Sequence, residues 1–539
     1  MRIPIVLYLV AMAARILVAA GFPDPAYPDS FYYVDVARRL AAGHGFSVDL
    51  LWVFAEVGGK IPANPVLPIP SNAHWMPLAS LVQVPFIWVL GPTAWASALP
   101  FALFGALAAP LSWLIAKDAG ARRSVAIGAG IMTALPALSF AYMAQPDNFS
   151  LYQPLVAGSL FLTGRGLRGS RRSFVLAGLL AGIATLSRND GVLVLAVLGA
   201  GFLWDRLRTR VAWGGPVRPA RVSLATALGA FALFAVAVLP WYARQLAEFG
   251  TLSPSTASGK VLFIRNIGEW NSISTPATLD HLLGMGLGPL LQTRVEGLVA
   301  AVIIFSVLVG IGLLVPFMLA GAWGRRRDPA FGPYFGYAFL LFAFSAIVSA
   351  VHVPGGTFIH SAVALVPAGY VLALEGVVAA ATWAAVRRRS WDTEGAVKVF
   401  VTATVGLTVV AAILGSFATH AGWVRARTAM QAVGAALDRA GAPPDDRLMA
   451  IDVSGYRYWT GHPGVVLVND PVDTVEQVAR AYGIRWVAVT PGDGVPLSDE
   501  LYADSRPAWV GEPILATDGV SLYPVCTEPA DTRCGPASP

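Results

Sequence analysis

Apolar positions in this chain come in long runs rather than in a helical or strand rhythm, and short arginine-bearing stretches separate the runs. The runs fall at 4–21, 95–116, 124–143, 149–164, 173–187, 191–204, 222–241, 297–322, 333–351, 358–386 and 397–418. An apolar helix of about 17–25 residues spans the hydrocarbon core of a bilayer, so each run predicts a membrane helix. One more stretch, MPLASLVQVPFIWVLG at 76–91, is apolar but short and carries two prolines. It predicts a segment that dips into the membrane and returns, or one that crosses.

The polar intervals orient the runs. Basic clusters recur at Lys117, Arg122 and Arg123; at Arg165, Arg168, Arg171 and Arg172; at Arg206, Arg208 and Arg210; at Arg325, Arg326 and Arg327; and at Arg387, Arg388 and Arg389. Short loops rich in arginine mark the cytoplasmic side. With every cluster inside, 76–91 does not cross fully. The count is then 11 spans with a re-entrant or interfacial segment, with 12 or 13 as the alternatives, and the C-terminal part lies outside. The outer segments are then 22–94, the turn at 144–148, 242–296 and everything from 419 onward. The first run, MRIPIVLYLVAMAARILVAAGF, has the basic start of a signal peptide. Arg15 interrupts its apolar core and no small-x-small cleavage site follows, so it reads as an uncleaved span.

Composition agrees with this layout. The chain is 56% hydrophobic and 13% charged, too little charge to cover a soluble protein of 539 residues. Its net charge of +6 lies in the loops between spans, which argues against nucleic-acid binding. Lysine is scarce beside arginine and alanine is abundant, a bias expected of a GC-rich bacterium and hence of a bacterial plasma membrane.

The tail changes character. RLMAIDV (447–453), GVVLVN (464–469) and IRWVAVT (484–490) read as strands. DTVEQVARAYG (473–483) reads as a helix with an Asp473–Glu476 capping box and a stop at Gly483. ILATDGVSLYPV (515–526) reads as a hairpin turning at Asp-Gly. The expected division is 1–418 for the membrane part and 419–539 for a small α/β domain. Both cysteines, Cys526 and Cys534, lie in this tail. They pair in an oxidising compartment or stay as free thiols, and their spacing suggests no metal site.

The chemistry-bearing residues gather on the outer side. In PDSFYYVDVARRLAAGHGF (28–46), Tyr33, Val36, Ala37 and Leu40 after Asp29 form an apolar helical stripe that Gly43 ends. In the plain alternative, Asp29 is only an N-cap and Asp35, Arg38 and Arg39 a solvated face. QPDNFSLY offers Asp147, with the same N-cap alternative, and LSRNDG offers Arg188 and Asp190. LPWYARQLAEFG offers Arg244; His44, His74, His352 and His360 lie at the same level. A carboxylate near an acceptor hydroxyl can act as general base, and cationic side chains can hold a donor phosphate. Together they suit transfer from a lipid-linked phosphate donor.

The order of landmarks resembles a known class. A first span, then Asp-x-x-x-Tyr, an Ala-Arg helix ending in Gly-x-Gly-Phe, HWMPL, PDNFSLYQPL, GIATLSRNDG and LPWYARQLAEFG are similar to membrane glycosyltransferases of the GT-C class. Within it they resemble the dolichyl-phosphate-mannose–protein mannosyltransferase and aminoarabinose-transferase superfamily, over residues 1 to about 390. The resemblance implies a mostly α, polytopic bundle of about 11–13 transmembrane helices with a small C-terminal extracytoplasmic α/β domain. It implies an inverting, nucleotide-independent transfer of a sugar from a polyprenyl phosphate to a protein, lipid or polysaccharide of the cell envelope. The family's first-loop aspartate falls on Asp29, implying the general base; Asp147 matches the second-turn aspartate and Arg188 a phosphate ligand. The family often has Asp-Glu where this chain has Asp29-Ser30, which keeps Asp35 as an alternative base. Arg244 and His360 are the further donor-phosphate candidates, and Tyr33, His74 and Asp190 the substrate-binding ones. The expected cofactor is none beyond the lipid-linked substrate, with no metal. The alternatives are a flippase or transporter of lipid-linked sugars, against which no paired repeat is visible, and a non-enzymatic assembly protein that binds a partner through its tail.

Overall fold

The computed structural model describes residues 2–210, 220–252, 260–388, 391–503, 505–527 and 531–534; Arg389 of the last basic cluster lies outside them. Among the described residues, six helices are long and apolar enough to cross a bilayer: Arg2–Gly21, Ala94–Asp118, Leu224–Phe249, Leu287–Val309, Thr357–Arg387 and Thr393–Arg439. Leu78–Leu90, Arg123–Ser139 and Gly332–Ile347 are shorter apolar helical stretches, and the helices Phe149–Leu167, Arg171–Ser187 and Val192–Arg210 occupy three further runs. The starts follow local chemistry. Thr93, Ser170, Ser223 and Asp392 each precede a run, and their side-chain oxygens accept a backbone N–H of the first turn, an orphan donor at every helix N-terminus.

Two expected spans are not continuous. In 124–143 the helix Arg123–Ala134 stops before Pro136, and the chain continues through short 3₁₀ turns with Ala137 at φ 45°. Non-helical backbone at membrane depth survives only where protein satisfies it. Here Arg15 does so: fully buried, it donates from Nη1 to the Ala134 carbonyl at 3.1 Å, a cation at a helix C-terminus. The charge that interrupts the first run is therefore structural. In 297–322 the helix from Leu287 breaks at Gly310–Gly312 and resumes at Val315–Arg325. The segment 76–91 forms two short helices, Leu78–Leu81 and Val84–Leu90. They pack on the helix Pro28–Ala41, with Ser80 Oγ donating to the Tyr33 carbonyl at 3.1 Å and Trp88 Nε1 to that of Ala41 at 3.1 Å.

Small residues set the closest helix contacts, as they do in membranes. A Cβ on Gly376 would strike the Phe317 carbonyl, and one on Gly321 that of Leu372; the helices Val315–Arg325 and Val366–Arg387 touch backbone to backbone. Gly376→Val is expected to cost about 1–3 kcal/mol by overpacking and to lower the melting temperature in detergent. Gly406→Ala, which meets open space, serves as the unchanged control.

The helix Thr393–Arg439 has 47 residues. At 1.5 Å per residue it runs roughly 70 Å, far beyond a bilayer core of about 30 Å, and passes the expected 418/419 division without a break. Beyond it lies a six-stranded sheet. The strands in chain order are β1 Ser47–Val48, β2 Leu50–Leu51, β3 Ile69–Pro70, β4 Arg447–Ala450, β5 Gly464–Val466, β6 Ile484–Val489, β7 Leu515–Ala516 and β8 Ser521–Pro524. The sheet order is β2-β5-β4-β6-β8-β7. β2, β5, β4 and β6 run parallel, while β8 pairs antiparallel with both β6 and β7. The hairpin, the Gly483 stop and the strand–helix–strand crossover are as expected, and Cys526 and Cys534 form a disulfide. Two details differ. The chain after β4 turns into the helix Val453–Thr460, capped by Asp452, so the expected strand ends three residues early. The helix Val472–Ala481 starts after Pro471 with no side-chain cap, so Asp473 lies inside its first turn and makes no capping box. β2 comes from the first loop. Asp49 beside it takes a two-pronged ion pair from Arg457, Nε–Oδ1 2.7 Å and Nη2–Oδ2 2.8 Å, and Trp52 Nε1 donates to Ser454 Oγ at 2.8 Å. Tyr32, Tyr33, Trp52 and Trp75 share one core with Val465, Val475 and Val487 of the tail.

Candidate active site

The N-cap of the helix Pro28–Ala41 is Tyr27, and Asp29 lies inside the first turn. Ser30 Oγ accepts the N–H groups of Ala26 and Tyr27 at 2.9 and 3.1 Å. The Asp29 carboxylate accepts the Trp75 Nε1–H at 2.9 Å. Asp147 likewise caps no helix by its side chain; the N-cap is Asn148. Wholly buried, Asp147 accepts the Tyr27 hydroxyl at 2.8 Å and the Asn148 N–H at 2.5 Å. Asn148 in turn donates from Nδ2 to the Tyr33 hydroxyl at 2.5 Å, and Ser187 Oγ donates to Asn148 Oδ1 at 3.2 Å.

His360 stands between the two carboxylates, with Nε2 3.8 Å from Asp29 Oδ2 and Nδ1 3.7 Å from Asp147 Oδ2. Its ring stacks on Phe149 at 4.2 Å and 15°. Three segments far apart in sequence thus place Asp29, Asp147 and His360 with one ligand atom each within 4.8 Å of one another. Two carboxylates and an imidazole fit a divalent cation; these are the residues that could hold one, although the sequence spacing suggested none.

Arg188 completes the group. Its Nε donates to Asp190 Oδ1 at 3.0 Å and to Ser361 Oγ at 3.2 Å, and its Nη2 to the Thr357 carbonyl at 3.4 Å. Ser361 also hydrogen-bonds Asp190, so the guanidinium is oriented from two helices. Burial acts most strongly and would lower its pKa, but Asp190, Tyr152 and Tyr33 together outweigh it and the net shift is upward. Burial raises the pKa of Asp29, against the Trp75 hydrogen bond and the Arg188 charge. Burial raises Asp147 too, helped by the like charge of Asp29. This is a pair of carboxylates held above the usual range beside a fixed cation.

Other sequence candidates lie elsewhere. Asp35, six residues along the same helix, turns to the opposite flank. There Arg457, Arg39 and Arg38 surround it, and burial followed by the Asp49 charge raises its pKa to about 6. Arg244 does not join Arg188. Its Nη2 donates to the Ser71 and Phe46 carbonyls at 2.9 and 3.3 Å, and its guanidinium lies among the rings of Phe46, Trp241 and Phe249, so it holds the first loop, while its buried Nη1 has no hydrogen-bond partner among the described residues. His44 is exposed beyond the helix end. His74, half-buried, and His352, buried, both contact Trp270, with ring centroids 5.8 and 3.7 Å from it, and burial lowers their pKa values to about 4 and about 3. Tyr33 and Asp190 do lie in the group. Tyr27, Trp75 and Asn148 were missed as partners, although Trp75 and Asn148 sit in the quoted motifs.

The fold is similar to that of known GT-C membrane proteins. Residues 74–241 match the family described as dolichyl-phosphate-mannose-protein mannosyltransferase. The chain superposes on the crystal structure of ArnT from Cupriavidus metallidurans bound to undecaprenyl phosphate with a TM-score of 0.57 and 14% identity, covering 99% of each chain. On the apo form of the same protein the TM-score is 0.58 at 14% identity, over 96% of this chain and 97% of that one. No curated protein matches the chain by sequence. The GT-C resemblance drawn from the motifs therefore holds for the fold from end to end.

Proposed function

We propose that the protein transfers a sugar from a polyprenyl phosphate to an acceptor on the outer face of a bacterial plasma membrane, with inversion. The observation that carries this reading is Asp29. It caps no helix and sits in one polar cluster with Asp147, His360 and the oriented Arg188. The donor class is supported by the undecaprenyl phosphate that the similar ArnT binds.

In the proposed step, the acceptor hydroxyl oxygen attacks the anomeric carbon and its proton passes to Asp29. The bond from that carbon to the phosphate oxygen breaks in the same displacement, so the configuration inverts. The electron pair leaves on the phosphate, and Arg188, with its charge prepaid by Asp190 and Ser361, stabilises it. Asp147 and Tyr27 hold the second side of the cluster. The acceptor is a protein, lipid or polysaccharide.

The base must be ionised to accept a proton. Its pKa is raised, so kcat/KM is expected to climb with pH above the ordinary carboxylate range and to level off above the shifted value. Activity is lost as pH falls through that window. Asp147→Asn removes the neighbouring like charge and is expected to move the climb to lower pH. A pH–rate profile of the two proteins checks the sign.

The reading is tested on protein reconstituted in nanodiscs, given a panel of radiolabelled polyprenyl-phosphate pentoses and hexoses with an envelope extract. Label moving from the polyprenyl phosphate to an acceptor is the expected result. Label carried across a liposome bilayer with the sugar–phosphate bond intact would replace the transferase by a transporter.

A further inference from the structure

A cavity of about 280 Å³ lies away from the carboxylate cluster. First-loop residues Phe54 and Gly59 form one side of it, and the segment Ile264–Ala277 of the third outer loop forms the other. Phe54 and Trp270, ring centroids 3.9 Å apart, give an apolar floor; Ser272, Ser274 and Thr275 bring hydroxyl groups to the wall.

This wall is built, and the tail builds it. Asp470, 2% exposed, follows β5 and accepts Ser272 Oγ at 2.6 Å, Ile273 N–H at 2.7 Å, Ser274 N–H at 3.1 Å and the Ser274 hydroxyl. Asn469 adds its N–H to the Asn271 carbonyl at 3.0 Å and its Nδ2 to that of Gly268 at 2.8 Å. A loop fixed this way offers its surface without an ordering cost on binding.

Behind Trp270, the buried ring nitrogens His74 Nδ1 and His352 Nε2 have no hydrogen-bond partner among the described residues. The aromatic contacts run on toward the active site: Trp270 to His74, His74 to Trp75 at 5.1 Å, and Trp75 to Asp29 by its hydrogen bond.

We propose that this cleft is a carbohydrate subsite that takes a neutral pyranose ring, its C–H face on the Phe54–Trp270 floor and its hydroxyls toward the wall. The assignment rests on the transferase reading for its role, with the ring belonging to the acceptor or to the donor sugar, but not for its binding. Methyl α-D-mannopyranoside, methyl β-D-glucopyranoside and methyl β-L-arabinopyranoside are titrated into the full-length protein in nanodiscs and followed by saturation-transfer NMR, with glycerol as the ring-less control.

Saturable binding of at least one glycoside is expected. Trp270→Ala is expected to weaken it about tenfold or more, the loss of roughly 1.4 kcal/mol. Trp270→Phe retains part of it, and Asp470→Asn, which loosens the wall without touching the floor, weakens it as well. Absence of saturable binding in the wild type, or equal binding in Trp270→Ala and wild type, overturns the subsite, whatever the transfer assay gives. Glycoside binding without any transfer leaves the subsite standing and overturns the transferase reading instead. Where transfer is measured, a raised acceptor KM in Trp270→Ala assigns the ring to the acceptor, a raised donor KM assigns it to the donor, and no change in either overturns the proposal.

Discussion

Asp29→Asn is expected to lower sugar transfer by about 10²–10⁴-fold, the usual contribution of a positioned general base, while donor binding changes little. Asparagine keeps the shape of the side chain and its oxygen still accepts the Trp75 Nε1–H that Asp29 accepts at 2.9 Å, so the helix Pro28–Ala41 and the aromatic core behind it are preserved. Only the ability to take a proton is lost. Asp35→Asn tests the alternative base in the same assay. Its carboxylate faces Asp49 and the arginines on the far flank, and the expected transfer rate is close to that of the wild type. Turnover and polyprenyl phosphate binding, measured on the same nanodisc preparations, separate a chemical defect from a binding one.

Arg188→Gln is the second large effect. A donor aimed at charge developing on the leaving group contributes about 10²–10³-fold to kcat, and here the same residue also binds the ground-state phosphate, so both donor KM and kcat suffer. A further consequence separates Arg188 from a residue that is merely structural. Its charge opposes the upward shift at both Asp29 and Asp147. Removing it pushes the pair higher still, and the residual pH–rate profile moves to higher pH, opposite in sign to the Asp147→Asn profile. Arg188→Lys is expected to recover only part of the activity, since an ammonium cannot span Asp190, Ser361 and Thr357 in the way the planar fork does.

Much of the architecture was legible because membrane helices announce themselves by length and apolarity. The runs at 149–164, 173–187, 222–241 and 358–386 all became helices, the short 76–91 stayed too short to span, and Asp518-Gly519 turned its hairpin. The same signal fails inside a run. A membrane helix is apolar on every side, so periodicity carries no phase and says nothing about where backbone order ends. Pro136 and the Gly310–Gly312 break were visible as residues but not as interruptions.

Long-range pairing was not legible either. Nothing local shows that Leu50–Leu51 would add the edge strand to a sheet made some 400 residues later, or that Arg244 would donate from Nη2 to the Ser71 and Phe46 carbonyls. At the site, the motifs supplied Asp29, Asp147 and Arg188, and the N-cap alternative for Asp29 was a fair reading of Pro-Asp-Ser. It fails because the N-cap is Tyr27, two residues earlier, and Ser30 reaches back to its N–H. His360 approaches both carboxylates only because the helix beginning at Thr357 packs against Phe149 and the 144–148 turn, which no spacing records.

The most direct measurement counts products. Wild type and Asp29→Asn, each saturated with the same radiolabelled polyprenyl-phosphate sugar and acceptor in nanodiscs, are assayed for free polyprenyl phosphate and for transferred sugar. The account predicts equal amounts of the two products from the wild type, with the anomeric configuration inverted, and almost none of either from the variant despite bound donor. Equal turnover by the variant, or sugar released with retained configuration, would contradict it.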